Sequence, residues 1–109
     1  MAIPNDSNRR AAVETASAIL SGEISLIEGC VRLYSLSSGL VSDWRTDSDF
    51  LVFGVVASDT DHLPTGSVRS YWNATALKRE DANIAQYEAK ARADVVVACQ
   101  NIVARFADA

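Results

Sequence analysis

The C-terminal third of the chain is an uninterrupted run in which apolar residues recur every three or four positions. From Asn73 or Thr75 onward the sequence has no Gly or Pro, the two residues that disfavour helix most strongly. The apolar residues at helical spacing are Leu77, Ile84, Tyr87, Ala91, Val95, Ala98, Ile102 and Phe106. This spacing predicts one long amphipathic helix, and the rest of the chain must supply a surface that covers its apolar stripe.

Val96 and Val103 lie beside that stripe and widen it. A stripe of this width can contact two helices or a second subunit. The opposite face carries charges of alternating sign, which is typical of a solvated face; they are Lys78, Arg79, Glu80, Asp81, Glu88, Lys90, Arg92 and Asp94. A symmetric homodimer packed partly on Val96 and Val103 is therefore one hypothesis.

Three shorter segments before the long one also fit helices. Ser7 as N-cap and Gly22 as terminator bound the first segment. Ser25 and Glu28 form a capping box at the start of the second. The third, residues 50–57, is apolar on every side and fits a buried strand as well as a buried helix. We favour helix, because a lone strand would find no partner for its backbone groups in this chain.

The surroundings of the third segment support the helical interpretation. The acidic stretch at residues 43–49 would lie near the positive end of that helix. Gly54 inside it predicts the close approach of a neighbouring helix. With 109 residues the chain can enclose one hydrophobic core. The sequence thus predicts an all-α protein, a four-helix bundle with a long C-terminal helix in a single domain spanning residues 1–109.

The acidic balance of the chain argues against two classes of partner. Ten Lys and Arg face fourteen Asp and Glu, which gives a formal net charge of -4. Nucleic-acid binding needs clustered basic residues, so no nucleic-acid partner is expected. The same charge argues against anionic membranes. The longest apolar run, residues 50–57, is shorter than the roughly 20 residues that a membrane-spanning helix requires.

The expected location is the cytoplasm. The first residues show no basic stretch followed by an apolar one, which is the pattern of a secretory signal. Cys30 and Cys99 each fall on the apolar side of a predicted helix, where lone cysteines usually behave as small buried hydrophobic residues. A disulfide between them would require their helices to pack side by side, which the sequence leaves open.

Residues 58–72, the connection before the long helix, gather polar and aromatic side chains between apolar segments. Binding residues concentrate on connections that regular elements hold on both sides. The candidate binding residues are Asp59, Asp61, His62, Arg69 and Trp72. We expect Arg69 to pair with an acid of the turn at residues 59–61. Trp72 is expected either to close the end of the bundle or to face a ligand.

The same segment also contains residue types that could bind a metal ion or take part in catalysis. Asp59, Asp61 and His62 are residue types that ligate divalent ions, but an EF-hand loop starting at Asp59 would need Gly where Pro64 stands. The chain has no nucleophile elbow and no phosphate loop. No metal, cofactor or catalytic residue is therefore predicted. A His62 base oriented by a neighbouring acid stays as an alternative.

A purely structural interpretation of the segment also stays open. In it, Asp61 or Ser58 caps a turn that Pro64 and Gly66 shape, and Leu63 lies in the core. The polar side chains would then serve the turn and bind nothing.

The segment resembles one found in small uncharacterised bacterial helical proteins, just before a long C-terminal helix. The shared residues are Ser58, Asp59, Thr60, Asp61, Leu63, Pro64, Gly66, Arg69 and Trp72. The resemblance covers residues 58–72 and extends weakly into the final helix. It implies a helical protein with a site at this segment, and it implies no activity or cofactor.

Three classes of function follow. The first is a non-enzymatic binding or scaffold protein with its contact surface for a protein partner around residues 58–72, for which a homodimer through the long helix is one form. The second is an immunity-type inhibitor of a basic toxin or another basic protein. Residues 1–60 carry twice as many acidic as basic side chains, which would steer such an association. The third is a small-molecule, metal or catalytic site at His62.

Overall fold

The protein folds as four α-helices. A computed structural model describes residues 6–64 and 66–107, and for residues 66–68 it describes the backbone only. The helices are α1 (Asp6–Ser21), α2 (Leu26–Leu36), α3 (Ser48–Asp59) and α4 (Ala74–Phe106). No strand occurs in this part of the chain, and the ambiguous apolar segment is helix α3. The predicted all-α four-helix bundle with a long C-terminal helix is therefore confirmed.

One hydrophobic core lies between the helices, where α1 packs along α4 and α2 packs along α3. Its fully buried large side chains include Ile27, Leu33, Phe50, Phe53 and Ile102. Cys30 and Cys99 are buried in the same core as free thiols. Burial raises the pKa of each thiol to about 12, and the nearby Cys99 contributes to the shift at Cys30. Both cysteines thus behave as small apolar residues, as predicted.

The helix ends follow the expected signals with one exception. The side chain of Ser25 accepts a hydrogen bond from the backbone N–H of Glu28 and caps α2. Gly22 terminates α1 with a positive φ of 81°, a conformation that glycine adopts without steric cost. The prediction that Ser7 caps α1 is wrong, because the helix already includes Asp6 and Ser7 lies within its first turn.

The start of α3 is fixed by two acids and by α4. Asp47 caps the helix by accepting hydrogen bonds from the backbone N–H groups of Asp49 and Phe50. Arg105 lies near the C-terminal end of α4 and reaches both carboxylates, with N–O distances of 2.9 Å to Asp47 and 3.0 Å to Asp49. Asn101 also donates to Asp49, at 2.9 Å. We call Arg105 with Asp47 and Asp49 the inner ion pair; it joins the beginning of α3 to the end of α4.

Gly54 allows close approach, but of a side chain and not of a helix. A Cβ atom added at Gly54 would overlap the indole ring of Trp44. Trp44 begins a short 3₁₀ turn, Trp44–Thr46, in the connection between α2 and α3. The predicted helix contact at Gly54 is therefore wrong, because the connection folds back and lays its tryptophan on α3.

Burial along α4 is uneven. Its buried residues all lie between Val95 and Phe106, and none lies in residues 74–94. Val96 and Val103 are half-buried, and Val103 packs against the core. The 33 residues of α4 span, at about 1.5 Å per residue, the 50 Å long axis of the molecule. In the part of the chain that the structure describes, no helix combines the length and the apolar character needed to cross a membrane.

Candidate functional site

The described residues between 58 and 72 form the end of α3, a turn and a 3₁₀ helix at Gly66–Tyr71. Thr60 secures the turn, since its backbone N–H and its hydroxyl both donate to the carbonyl of Val56, at 3.1 and 2.7 Å. Leu63 and Pro64 are buried. The prediction for Leu63 is thus confirmed: Thr60, Leu63 and Pro64 fasten the turn to the bundle, while Asp61 and His62 stay exposed.

Arg69 fastens the 3₁₀ helix to α4. Its Nη1 donates to Oδ1 of Asp81 at 2.7 Å and its Nη2 to Oδ2 at 3.2 Å, and Nη1 also donates to the carbonyl of Pro64 at 3.1 Å. The expected pairing of Arg69 with the turn at residues 59–61 is wrong, because Asp81 offers a two-pronged acceptor on α4. The hydrogen bond from Arg69 lowers the pKa of the Asp81 carboxyl. We call Arg69 with Asp81 the outer ion pair.

The other predicted site residues do not meet at one place, although Asp61 and His62 are neighbours on the turn. Asp61 and His62 are exposed on the turn, with 3.8 Å between Oδ1 and Nδ1. Trp72 is exposed and directly precedes Asn73, whose side chain caps α4. The five residues chosen from the sequence therefore do not converge on one place, although Asp59 and Asp61 each line a cleft beside α3.

The larger cleft lies between α3 and α4 and has a volume of about 440 Å³. We call it the α3–α4 groove. Its walls are formed by Leu51, Val52, Val55, Val56, Asp59, Tyr87, Lys90, Ala91 and Asp94. Two of these apolar side chains are open to solvent, with 41% of Leu51 and 47% of Val55 exposed. The groove therefore presents an apolar floor with charged residues beside it.

A hydrogen bond fixes one end of the groove. The hydroxyl of Tyr87 donates to Oδ2 of Asp59 at 3.0 Å. Burial raises the pKa of Tyr87, and the hydrogen bond and the negative charge of Asp59 raise it further, to about 12. The phenol therefore stays neutral and keeps donating at ordinary pH. Asp59 is the one predicted site residue that lines this groove.

Two opposite charges beside the groove have no partner. Lys90 and Asp94 are one helical turn apart on α4, so they project from the same face of the helix. Within residues 6–64 and 66–107, neither side chain makes an ion pair or a hydrogen bond. Both charges are thus available to a second molecule that covers the apolar floor.

The smaller cleft lies on the other flank of α3 and has a volume of about 370 Å³. We call it the Trp44 cleft. It is lined by Tyr34, Trp44, Gly54, Ala57, Ser58 and Asp61. The rings of Tyr34 and Trp44 meet at 90° with 5.1 Å between their centroids. Asp61, a residue of the turn after α3, is the charged member of this lining.

Sequence reasoning missed most residues of the groove. It assigned Tyr87 to the buried stripe of α4, and Lys90 and Asp94 to the solvated face. The sequence did offer a signal: Tyr87, Lys90 and Asp94 lie at the boundary between the apolar stripe and the polar face of α4. At such a boundary, neighbouring helices cover a helix only partly. A second signal was α3 itself, because a helix that is apolar on every side exposes apolar side chains wherever its neighbours do not enclose it.

Metal ligands do not cluster in the described part of the chain. No three side chains of His, Cys, Asp or Glu approach one another there in a way that could hold an ion. Among the described residues, the groove and the Trp44 cleft are two places that offer a contact surface, one apolar with mixed charge and one aromatic with a single acid.

Comparison with known proteins gives a family and no activity. No curated protein and no solved structure matches the chain. The profile of a family described as a protein of unknown function, DUF2489, matches residues 11–102, which include all of α2 and α3, most of α1 and α4, and both clefts. Since this match spans well over half of the sequence, the chain belongs to the DUF2489 family.

Proposed function

We propose that the protein is a non-enzymatic binding protein that associates with a second copy of itself through the α3–α4 groove. The observation that carries this proposal is the unpaired charge couple Lys90 and Asp94 beside the exposed Leu51 and Val55. The contact surface thereby differs from the one expected at residues 58–72, although it retains Asp59.

The apolar floor supplies the driving force. Covering apolar surface stabilises a complex by about 25 cal/mol for each Å² removed from water. Leu51 and Val55 lie one turn apart on α3, so a partner that covers one covers both. The sequence-based hypothesis placed the homodimer contact on Val96 and Val103, but these residues are half-buried within the bundle. Leu51 and Val55 in the groove expose more apolar surface than Val96 and Val103 do.

The charge pattern favours a second copy of the chain as the occupant. In a symmetric dimer each contact occurs twice, with residue i of one subunit facing residue j of the other. Two antiparallel α4 helices would thus place Lys90 opposite the partner's Asp94, and Asp94 opposite the partner's Lys90. The chain itself supplies both halves of this complementarity, whereas a different protein would have to bring matching charges of its own.

The first test compares two exposed valines. Val55→Asp introduces a charge into the apolar floor, and burying an unpaired charge is strongly unfavourable, so the variant should be monomeric. Val31→Asp is the matched control, because Val31 on α2 is exposed to 42%, close to the 47% of Val55, and lies outside the groove. Light scattering after gel filtration should give a dimer for the unaltered protein and for Val31→Asp. A monomer for the unaltered protein at millimolar concentration would refute the proposal.

A charge exchange tests the antiparallel arrangement. Lys90→Asp alone would place like charges opposite one another and weaken association. Adding Asp94→Lys to the same chain restores two attractive pairs in a self-associating dimer, since both subunits carry the exchange. Sedimentation velocity should therefore show loss of the dimer and then its recovery. If the double variant stays as dissociated as the single one, the two residues do not face each other.

A further inference from the structure

We infer that the Trp44 cleft binds a small organic cation of the quaternary ammonium class. This site lies on the flank of α3 that faces away from the groove, and it is independent of the proposed self-association. Its lining brings together three features that favour such a ligand: two aromatic rings at a right angle, a carboxylate, and small residues that leave room.

The aromatic walls supply the main attraction. Tyr34 and Trp44 meet edge to face, with an interplanar angle of 90° and 5.1 Å between centroids. The faces of aromatic rings carry partial negative charge, and a cation close to them is attracted. Two perpendicular rings form the corner of an aromatic cage, which surrounds a cation on more than one side.

Asp61 supplies the charge preference. It is the charged side chain among the residues that line the cleft, the others being aromatic, small or neutral: Tyr34, Trp44, Gly54, Ala57 and Ser58. A single carboxylate above aromatic walls attracts a cation and repels an anion. His62 lies 3.8 Å from the Asp61 carboxylate and is not among the residues that line the cleft. The side chain of Asp61 is 79% exposed, so a ligand in the cleft can reach its carboxylate.

The indole of Trp44 already lies beside one cation of the chain. The guanidinium carbon of Arg45 lies 5.8 Å from the centroid of that ring, within the range of a cation–π contact. Arg45 is held outside the cleft, because its Nε donates to Oδ1 of Asp43 at 3.3 Å. The cleft is thus left for a second cation.

The lining suits a quaternary ammonium group, because it combines aromatic rings and one carboxylate with small side chains. A quaternary ammonium has no N–H group and can bind through aromatic faces and a nearby carboxylate alone. The volume of about 370 Å³ is sufficient for such a compound with a short apolar body.

The test is an NMR titration with tetramethylammonium chloride, with neopentanol as a neutral compound of similar shape that carries one hydroxyl more, and sodium chloride as the control for ionic strength. Trp44 and Trp72 are the two tryptophans, so their indole N–H signals report on the cleft and on an exposed residue outside its lining. The Trp44 signal should shift and saturate at millimolar ligand while the Trp72 signal stays fixed. Neopentanol should bind at least about tenfold more weakly, since it lacks the charge. Equal responses to both compounds, or none to either, would overturn the inference.

Two matched variants locate the charge. Asp61→Asn keeps the shape of the side chain and should weaken binding about fivefold, because it removes the carboxylate. Asp59→Asn alters an acid two positions away that lines the groove, and it should leave the affinity unchanged. Equal losses in the two variants would mean that the general acidity of the surface attracts the cation and would refute a site in the cleft. The oligomeric state tests the groove separately, so the two proposals can fail independently.

Discussion

The two halves of α4 share one continuous backbone and lie in different surroundings. In the inner half, residues 95–106, the apolar stripe is buried at Val95, Ala98, Cys99, Ile102 and Phe106. In the outer half, residues 74–94, the same stripe continues and no side chain is buried. Helical spacing thus identifies which face of α4 is directed toward the other helices along its whole length. How deeply that face is covered depends on α1 and α3 and on the connection at residues 58–72.

Each half is also joined to the rest of the protein by an arginine and aspartate contact, and the two contacts differ in exposure. In the inner ion pair the side chain of Asp49 is exposed to 11%, whereas that of Asp81 in the outer ion pair is exposed to 51%. Arg105 also lies over the rings of Phe50 and Phe106. Water screens the outer contact far more strongly. The same chemistry should therefore stabilise the inner half and mainly orient the outer one.

The largest expected difference between the halves comes from truncating one isoleucine in each. Ile102→Ala should lower the free energy of unfolding by about 3 kcal/mol, because Ile102 is fully buried and the change leaves a cavity. Ile84→Ala makes the same change at a half-buried position of the outer half and should cost about 1 kcal/mol. Urea denaturation followed by circular dichroism measures both. Equal losses would mean that the outer half is packed as well as the inner one.

The next effect should come from the two arginines. Arg105→Met keeps the apolar stem and removes the charge, which leaves the nearly buried Asp49 without its cation and should cost about 2 kcal/mol, less than for a fully buried pair. Arg69→Met should shift the urea midpoint much less, because its partner Asp81 is exposed. A larger shift for Arg69→Met than for Arg105→Met would reverse the comparison.

The fold could be predicted because its signals are local. The spacing in α4, the cap at Ser25 and the glycine at Gly22 each depend on neighbours within a few residues, and the structure agrees with all three. The error at Gly54 has a different origin. The residue that covers it, Trp44, lies ten positions earlier in a connection whose path no periodic pattern describes.

The clefts could be predicted only in part, because they depend on distant pairs. Asp59 and Tyr87 are hydrogen-bonded across 28 positions, and Arg69 reaches Asp81 across 12. The sequence alone shows that Asp59 and Arg69 are polar residues of the connection. It also places Tyr87 and Asp81 on α4, but it does not show which residues of the connection they contact. Which of them meet is decided by how α3 and α4 lie side by side, and that arrangement depends on the whole core.

A smaller effect should appear in the dependence of stability on pH. Burial alone would raise the pKa of Asp47, but the hydrogen bond from Arg105, together with its charge and the backbone N–H groups of α3, outweighs burial and lowers it. A lowered pKa in the folded state contributes stability that is present above the unfolded value of about 3.9 and is lost as the pH falls through the folded value. The advantage of the unaltered protein over Asp47→Asn should therefore shrink on acidification, since Asn retains the capping function.

Urea midpoints measured from about pH 6 downward check this prediction. Asp81→Asn is the matched control in the outer ion pair. Its carboxyl also has a lowered pKa, but the pair is exposed, so its effect on the pH dependence should be weaker. A constant difference between the unaltered protein and Asp47→Asn at every pH would show that Asp47 gains nothing from its charge.

The smallest expected effect is at the first residue before α4. The side chain of Asn73 accepts a hydrogen bond from the backbone N–H of Ala76 at 2.8 Å and caps the outer half. Replacing such a cap by alanine usually costs about 1 kcal/mol. If the outer half opens while the core stays folded, the first turns of α4 are already open in part of the molecules. Most of the cost of losing the cap is then absent from the free energy of global unfolding.

We therefore expect Asn73→Ala to leave the urea midpoint nearly unchanged and to accelerate amide exchange at residues 77–84. Exchange at residues 95–106 should stay as slow as in the unaltered protein. A matched loss of the cap at Ser25, on helix α2 with its buried inner face, should instead lower the urea midpoint. If Asn73→Ala lowers the midpoint as much as Ser25→Ala, the two halves of α4 unfold as one cooperative unit despite their different burial.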